Sequence, residues 1–313
     1  QDPEFRKRFG YKGKYRIVPL NFGEYDNKRI FDYEEAGIST NDMPFEDYVY
    51  LRSIALMVES LINGRPFDEF FQYAKILGLS KANFLKRLRN NIAKAPREIN
   101  KLFDEFISDT KSELWNSEKE LLNYYRRDEN FQLLKDGKIG GNLIFKYKTR
   151  SLVVLKNEWI EFLQQQLYEV ALEKHQDIYN KDDIKLHIKE LGLFCKMKLG
   201  GLLDGDLKSL PITHKFNYDI LAWIDNKEDL PLVNFKQSNV ITYSFEFTKE
   251  QKINRRDIFK RYGTDINALS KIVTRIANLE SQFRKIRLVE NNYLRDIYKN
   301  VQGDNFVRYA LVN

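Results

Sequence analysis

The chain contains one cysteine, Cys195, and three histidines, His175, His187 and His214. A structural zinc site built from thiolates needs more sulfur than this. An iron–sulfur cluster, which takes several thiolates, cannot be ligated from within the chain either. Cys195 lies in the apolar run LGLFCKMKL, a context that predicts a buried, inert thiol. His187 precedes it by eight residues, but no oxyanion feature or orienting acid accompanies the pair. His175 and His187 fall in charged helical sequence and read as ordinary surface or half-buried side chains. No GxxxxGK[ST] or GxGxxG loop is present. The segment GKIGGN has glycines enough to approach an anion, yet reads better as a plain loop.

Two patterns remain. The adjacent carboxylates Glu34 and Glu35 fall in a predicted strand, where neighbouring side chains point to opposite faces. At most one of them can enter a shared site, which argues against an acid/base pair. The stretch KANFLKRLRNNIAKAPR (81–97) carries Lys81, Lys86, Arg87, Arg89, Lys94 and Arg97 on a predicted helix whose apolar face is Phe84, Leu85, Leu88 and Ile92. It is the best candidate for phosphate contact, against the plainer reading of a solvated helix face. No aromatic base-stacking motif accompanies it, and the pairs Phe70-Phe71 and Tyr124-Tyr125 read as core. No catalytic, cofactor-binding or metal-binding set is therefore complete.

The elements that would position these residues are mainly helical, with a minor β component. KYRIVPL (14–20), the turn-rich NFGEYDNK and RIFDYEEAGIST predict a short N-terminal β segment, paired as a hairpin or finishing a sheet begun upstream. Helices are predicted from Pro44 to about Asn63, from Pro66 to Gly78, and from a Ser80 cap to Pro96. Ile99, Leu102, Phe103, Phe106 and Ile107 give the clearest amphipathic spacing, and Ser117 with Glu120 suggests a capping box. KDGKIGGN (135–142) is the strongest punctuation and divides a helical subdomain, 44–136, from a second one, 137–313. NLIFKYKTRSLVVL is ambiguous between strand and helix, and the stretches ending at His175 and Gly200 are helical. THKFNYDI (213–220) and NVITYSFEF (239–247) predict an antiparallel strand pair. A Thr248–Gln251 capping box comes next, then a further helix through Ile266, Leu269, Val273 and Ile276.

Length, 313 residues, and composition, 42% hydrophobic and 14% aromatic, supply material for a packed core and exclude a disordered chain. The net charge of +7 permits phosphate contact but does not demand it. A single cysteine fits a reducing, cytoplasmic compartment. No continuous apolar stretch is long enough to span a membrane. QDPEF at the start resembles vector-encoded sequence and is expected to stand outside the fold, with the natural protein extending upstream of Arg6.

Residues 14–71 resemble the region after the catalytic barrel in radical S-adenosylmethionine enzymes that carry an upstream cobalamin-binding domain. The features concerned are Arg16 in a strand, Gly23 with Tyr25, the Glu34-Glu35 strand, and Thr40, Met43, Asp47 and Tyr48 leading into a long helix with Arg52. Residues 241–286 are similar to the end of the same proteins: a strand, the Glu250-Gln251 helix, the Tyr262-Gly263 stop, another helix and Phe283-Arg284-Lys285. Together these segments cover about a third of the chain. The family's CxxxCxxC and its cobalamin-binding part are absent from the sequence. The resemblance thus implies a non-catalytic C-terminal accessory region that shapes substrate access or docks a partner. It places an iron–sulfur cluster, S-adenosylmethionine and, in cobalamin-type members, cobalamin in the parent protein and none of them in this segment. The expected partners are the upstream catalytic domains and a protein or carrier. Arg16, Glu34 and Glu35 would lie nearest the barrel and are the candidates for meeting substrate, with hinge or packing as the competing role. Two other readings stay open, a basic helical nucleic-acid-binding protein and a self-contained enzyme with an unrecognised site.

Overall fold

In the computed structural model, which describes residues 2–174, 180–204, 210–226, 228–276 and 278–289, Asp26 and Asn27 adopt φ of 46° and 57°. Two consecutive residues with positive φ make the kind of two-residue turn whose twist matches that of a hairpin. It joins β1 (Lys12–Tyr25) to β2 (Lys28–Ser39), antiparallel, with Arg16 opposite Glu34 and Tyr15 opposite Glu35. The turn is shorter than the sequence suggests, and Asn21 to Tyr25 belong to the strand. The register slips between Ile17 and Phe22. Pro19, which has no N–H to donate, and Leu20, at φ 68°, are accommodated in that slip.

A two-stranded ribbon is marginal alone and needs a surface to cover one face. Here Ile17 and Phe31 pack with Leu121, Tyr125, Phe131 and Leu134 of α6 (Glu118–Tyr125) and α7 (Asp128–Lys135). Residues 3–5, expected to stand outside the fold, open a short helix, α1 (Pro3–Phe9), whose first turn is capped by Asp2. The loop after α7 packs onto the same small core. Gly140 has φ 66°, and an added Cβ would stand 2.4 Å from Leu134 Cδ1.

The main core is helical and draws on both sides of that loop. It is built by α2 (Phe45–Met57), α3 (Asp68–Ile76), α4 (Lys81–Asn90), α5 (Arg97–Ser112), α8 (Leu143–Thr149), α9 (Lys156–Lys174) and α10 (Lys181–Lys198). Its centre holds Phe67, Phe70, Phe106, Trp159, Phe162 and Phe194, all fully buried. The α5 face is the one its spacing dictates: Ile99, Leu102, Phe103 and Phe106 are buried. Two helices end in π-turns. Asn63 N donates to Val58 O after α2, and Leu155 N donates to Arg150 O after α8. The sequence at 142–155, ambiguous between strand and helix, is thus helical.

The C-terminal part is a three-stranded antiparallel sheet, β3 (Ile212–Tyr218), β4 (Lys236–Glu246) and β5 (Lys285–Leu288), with β4 central. The predicted strand pair is present, and β5 adds a third member. Helix α11 (Ile220–Asp225) lies between β3 and β4. Helices α12 (Lys249–Tyr262) and α13 (Ile266–Arg275) lie between β4 and β5. The Thr248–Gln251 capping box forms in both directions. Buried Arg284, just before β5, donates to the carbonyls of Gly200 after α10, Leu210 before β3 and Phe245 in β4 at 2.8–3.1 Å.

Candidate functional site

The two paired glutamates separate as strand geometry requires. Glu34 meets Arg16 on one face at 2.6 Å, and Glu35 meets Arg6 on the other at 2.5 Å. The Arg6 guanidinium holds the Glu35 carboxyl below the usual carboxylate range. Each carboxylate is thus already neutralised by its own arginine. Arg16 also reaches Glu113 at 3.4 Å, and Arg52 reaches the same carboxylate at 3.2 Å. Burial nonetheless pushes Glu113 above the ordinary range. Burial also raises the Tyr48 phenol, which lies within electrostatic reach of Arg52, Arg16, Glu113 and Glu34. The hairpin, α2 and the end of α5 are therefore stitched by one charge network, which is what a packing or hinge role requires.

The remaining sequence candidates are structural in character. Cys195 is fully buried, its thiol 3.3 Å from Pro66 O and 3.6 Å from Glu69, and burial raises it well above a normal thiol. His187 accepts or donates one bond to Tyr73 Oη at 3.1 Å, and burial lowers it to about 4. Although both lie on α10, Cys195 and His187 have different neighbours and do not form a pair. His214 packs edge-on to Phe216, and His175 falls outside the described residues. On α4, Arg87 is clamped by Glu169 and Glu173 and Arg89 by Ser53 Oγ, and in the short turn after α4 Lys94 is held by Glu169. Arg87 and Lys94 of the predicted basic face thus tie this segment to α9, and Arg89 ties it to α2. Lys86 and Arg97 stay exposed.

A cleft of about 420 Å³ lies where none of these residues are. It falls within the size range of small-molecule sites. The π-turn after α2 brings Glu59 to one wall. Asn63 comes next, then Gly64 and Arg65 with φ of 80° and 55°. Lys148, from the end of α8, projects from the floor beside Phe145. The opposite wall is Val273, Thr274, Ile276 and the turn Asn278–Glu280. Glu59 accepts from Lys148 Nζ at 2.9 Å and from Asn63 Nδ2 at 2.7 Å. Arg65 is held by Asp68 at 2.5 Å and reaches across to Glu280 at 3.7 Å. The arrangement offers an apolar surface bordered by two preset ion pairs. With both oxygens of Glu59 already accepting, the cleft suits recognition of a polar molecule better than proton abstraction. Sequence spacing could not have assembled it: Glu59 and Lys148 are 89 residues apart.

No protein-family model matches the chain, and no curated protein matches its sequence. Among the described residues, no helix is long and apolar enough to cross a membrane. Among them, too, no group of three or more His, Cys, Asp or Glu side chains is placed to hold a metal ion.

Proposed function

We propose that the chain is a non-catalytic C-terminal accessory region of a radical S-adenosylmethionine enzyme of the cobalamin-binding type, shaping substrate access beside upstream catalytic domains. The observation that carries this reading is a convergence. The two segments that resemble the family, 14–71 and 241–286, lie far apart in the sequence and face each other across one cleft. Asn63, Gly64 and Arg65 come from the first, and Val273, Thr274 and Glu280 from the second. Arg65 and Glu280 close the gap directly. A second convergence supports it: Arg16, Glu34, Tyr48 and Arg52, all from the first segment, gather at Glu113.

The donor set here does not fit the family's cluster. Its only thiol is enclosed in the core and held protonated by burial. No step is therefore routed through a cluster, S-adenosylmethionine or cobalamin in this segment. Two experiments test the reading. The reading frame upstream of Arg6 is expected to encode a CxxxCxxC motif about one barrel's length earlier, and a start codon at that point overturns it. The chain alone, assayed anaerobically with reductant, is expected not to cleave S-adenosylmethionine, and turnover likewise overturns it.

A second reading, a self-contained binding protein or enzyme, is favoured by the cleft's charged lining. It predicts that the chain alone binds a small polar molecule there. Loss of that binding in Lys148→Met, with the fold intact, is its test.

A further inference from the structure

The net charge of the chain is +7, and residues 236–289 alone hold twelve basic and five acidic side chains, an excess of seven. The whole imbalance of the protein is therefore concentrated in β4, α12, α13 and β5. Much of it lies along α12. Lys249, Lys252, Arg256 and Lys260 succeed one another at intervals of three and four residues, so they share one helical face. Successive members are spaced about 4.5–6 Å along the axis. Lys249, Arg256 and Lys260 are exposed, and none of the three has an ion-pair partner among the described residues. Exposed Arg275 of α13 lies against the end of α12. Arg275 also stacks on Tyr262 at 5.1 Å and donates to its hydroxyl.

We propose that this face binds the phosphate backbone of nucleic acid, independently of sequence. Charges this close lie within one Debye length of each other and repel, a repulsion that exposed Glu250 and Asp257 offset in part and a covering anion would relieve. Duplex nucleic acid presents about one negative charge per 1.7 Å of its axis, so its phosphates are closely enough spaced to supply a partner for every cation of the stripe. A protein partner would call for an apolar centre to its interface, and a membrane surface for a broad apolar helix face. The outer face of α12 offers neither. Ile253 is its one exposed large apolar residue, and Ile258 and Phe259 are packed against the core. The inference stands apart from the accessory-region reading, because it rests on charge distribution and exposure alone.

The test is fluorescence anisotropy of the full chain with a labelled 20-base-pair duplex and a single strand of equal length, from 50 to 300 mM KCl. Binding is expected, with affinity falling on a log–log slope of about −3 to −4, as release of counterions from several phosphates requires. The reversal K249E/R256E/K260E is expected to weaken binding tenfold or more at 100 mM KCl. The control reversal K86E/R97E, on α4 and at the first residue of α5, is expected to change it less than twofold. Circular dichroism checks the fold, and K249Q/R256Q/K260Q replaces the reversal if that variant unfolds. No binding at 50 mM KCl, salt-independent binding, or an equal loss from the K86E/R97E variant overturns the proposal. Tighter binding to phosphatidylserine vesicles or to polyglutamate overturns it too and reassigns the face.

Discussion

Lys148 Nζ stands 2.9 Å from Glu59 Oε2 at the floor of the cleft, with the lysine side chain 8% exposed and the glutamate 28%. The pair joins two π-turns of the helical body, since Glu59 lies in one and Lys148 shortly precedes the other. A π-turn inserts one extra residue per turn and re-aims the chain beyond it, and such turns are frequent at functional sites.

Removing one partner of this pair leaves a charge stranded near the core. Glu59→Ala is expected to cost roughly 2–3 kcal/mol, below the full penalty for a completely buried pair because Glu59 keeps partial contact with water. The double variant Glu59→Ala/Lys148→Met should recover part of that loss. Urea denaturation of the four members of the cycle measures it. Simple additivity would show that the two side chains are not coupled.

Burial sets the pH dependence of the core through His187. Its folded pKa is lowered to about 4 from 6.5, so the folded state prefers the neutral ring. Stability from this group is fully present above pH 6.5 and is lost as pH falls through 4, because the unfolded chain takes up the proton first. The loss between pH 7 and 4.5 is about 2 kcal/mol. Urea midpoints across that range should fall more steeply for the natural chain than for His187→Phe, and parallel curves would show that another group titrates.

The fold was legible wherever local chemistry decides structure. Ser80, Ser117 and Thr248 each accept from a backbone N–H in the first turn of the helix they cap, and the amphipathic stripe of α5 is buried as spaced. The features that escaped reading depend on tertiary geometry. The four residues Lys285–Leu288 are too few to show alternation and form a strand because β4 offers an edge. The π-turns leave no mark on hydrophobic period. The cleft residues Glu59, Arg65 and Lys148 look like ordinary surface charges in sequence, and only folding brings them together. The basic stretch 81–97 is the opposite case. Its charges are conspicuous locally, but the acids that neutralise Arg87 and Lys94 belong to α9, some eighty residues away.

Cys195 and Lys198 share Glu69. The Lys198–Glu69 pair, at 2.5 Å, is nearly sealed, with 10% and 3% of the side chains exposed. Lys198→Met should cost about 3–5 kcal/mol, whereas Lys75→Ala, which breaks an exposed pair with Asp229, should cost less than about 1 kcal/mol. The thiol shares the same enclosure. In the folded protein at pH 8 it should resist Ellman's reagent, and in urea it should react at one equivalent per chain. Rapid reaction without denaturant would mean that this part of the core opens.

The loop after α7 offers a paired test of glycine chemistry. Gly140 has φ 66°, and a Cβ there would meet Leu134 Cδ1 at 2.4 Å and Ile17 Cγ2 at 3.1 Å, so neither the backbone nor the space admits a side chain. At Gly141, one residue on, an added Cβ meets nothing within 4 Å. Gly140→Ala is therefore expected to destabilise by about 2 kcal/mol, since it combines positive-φ strain with overpacking of the hairpin core. Gly141→Ala should stay within about 0.5 kcal/mol of the natural chain. Thermal melts of the two variants decide it. Equal losses would mean that the loop is held by its glycine content as a whole, and equal tolerance would mean that the contact from Gly140 to the hairpin is not made in solution. The stronger effect at Gly140 would instead tie the loop to Ile17, one residue from Arg16. The same contact would then fix both the hairpin's small core and the arginine that anchors it to α5.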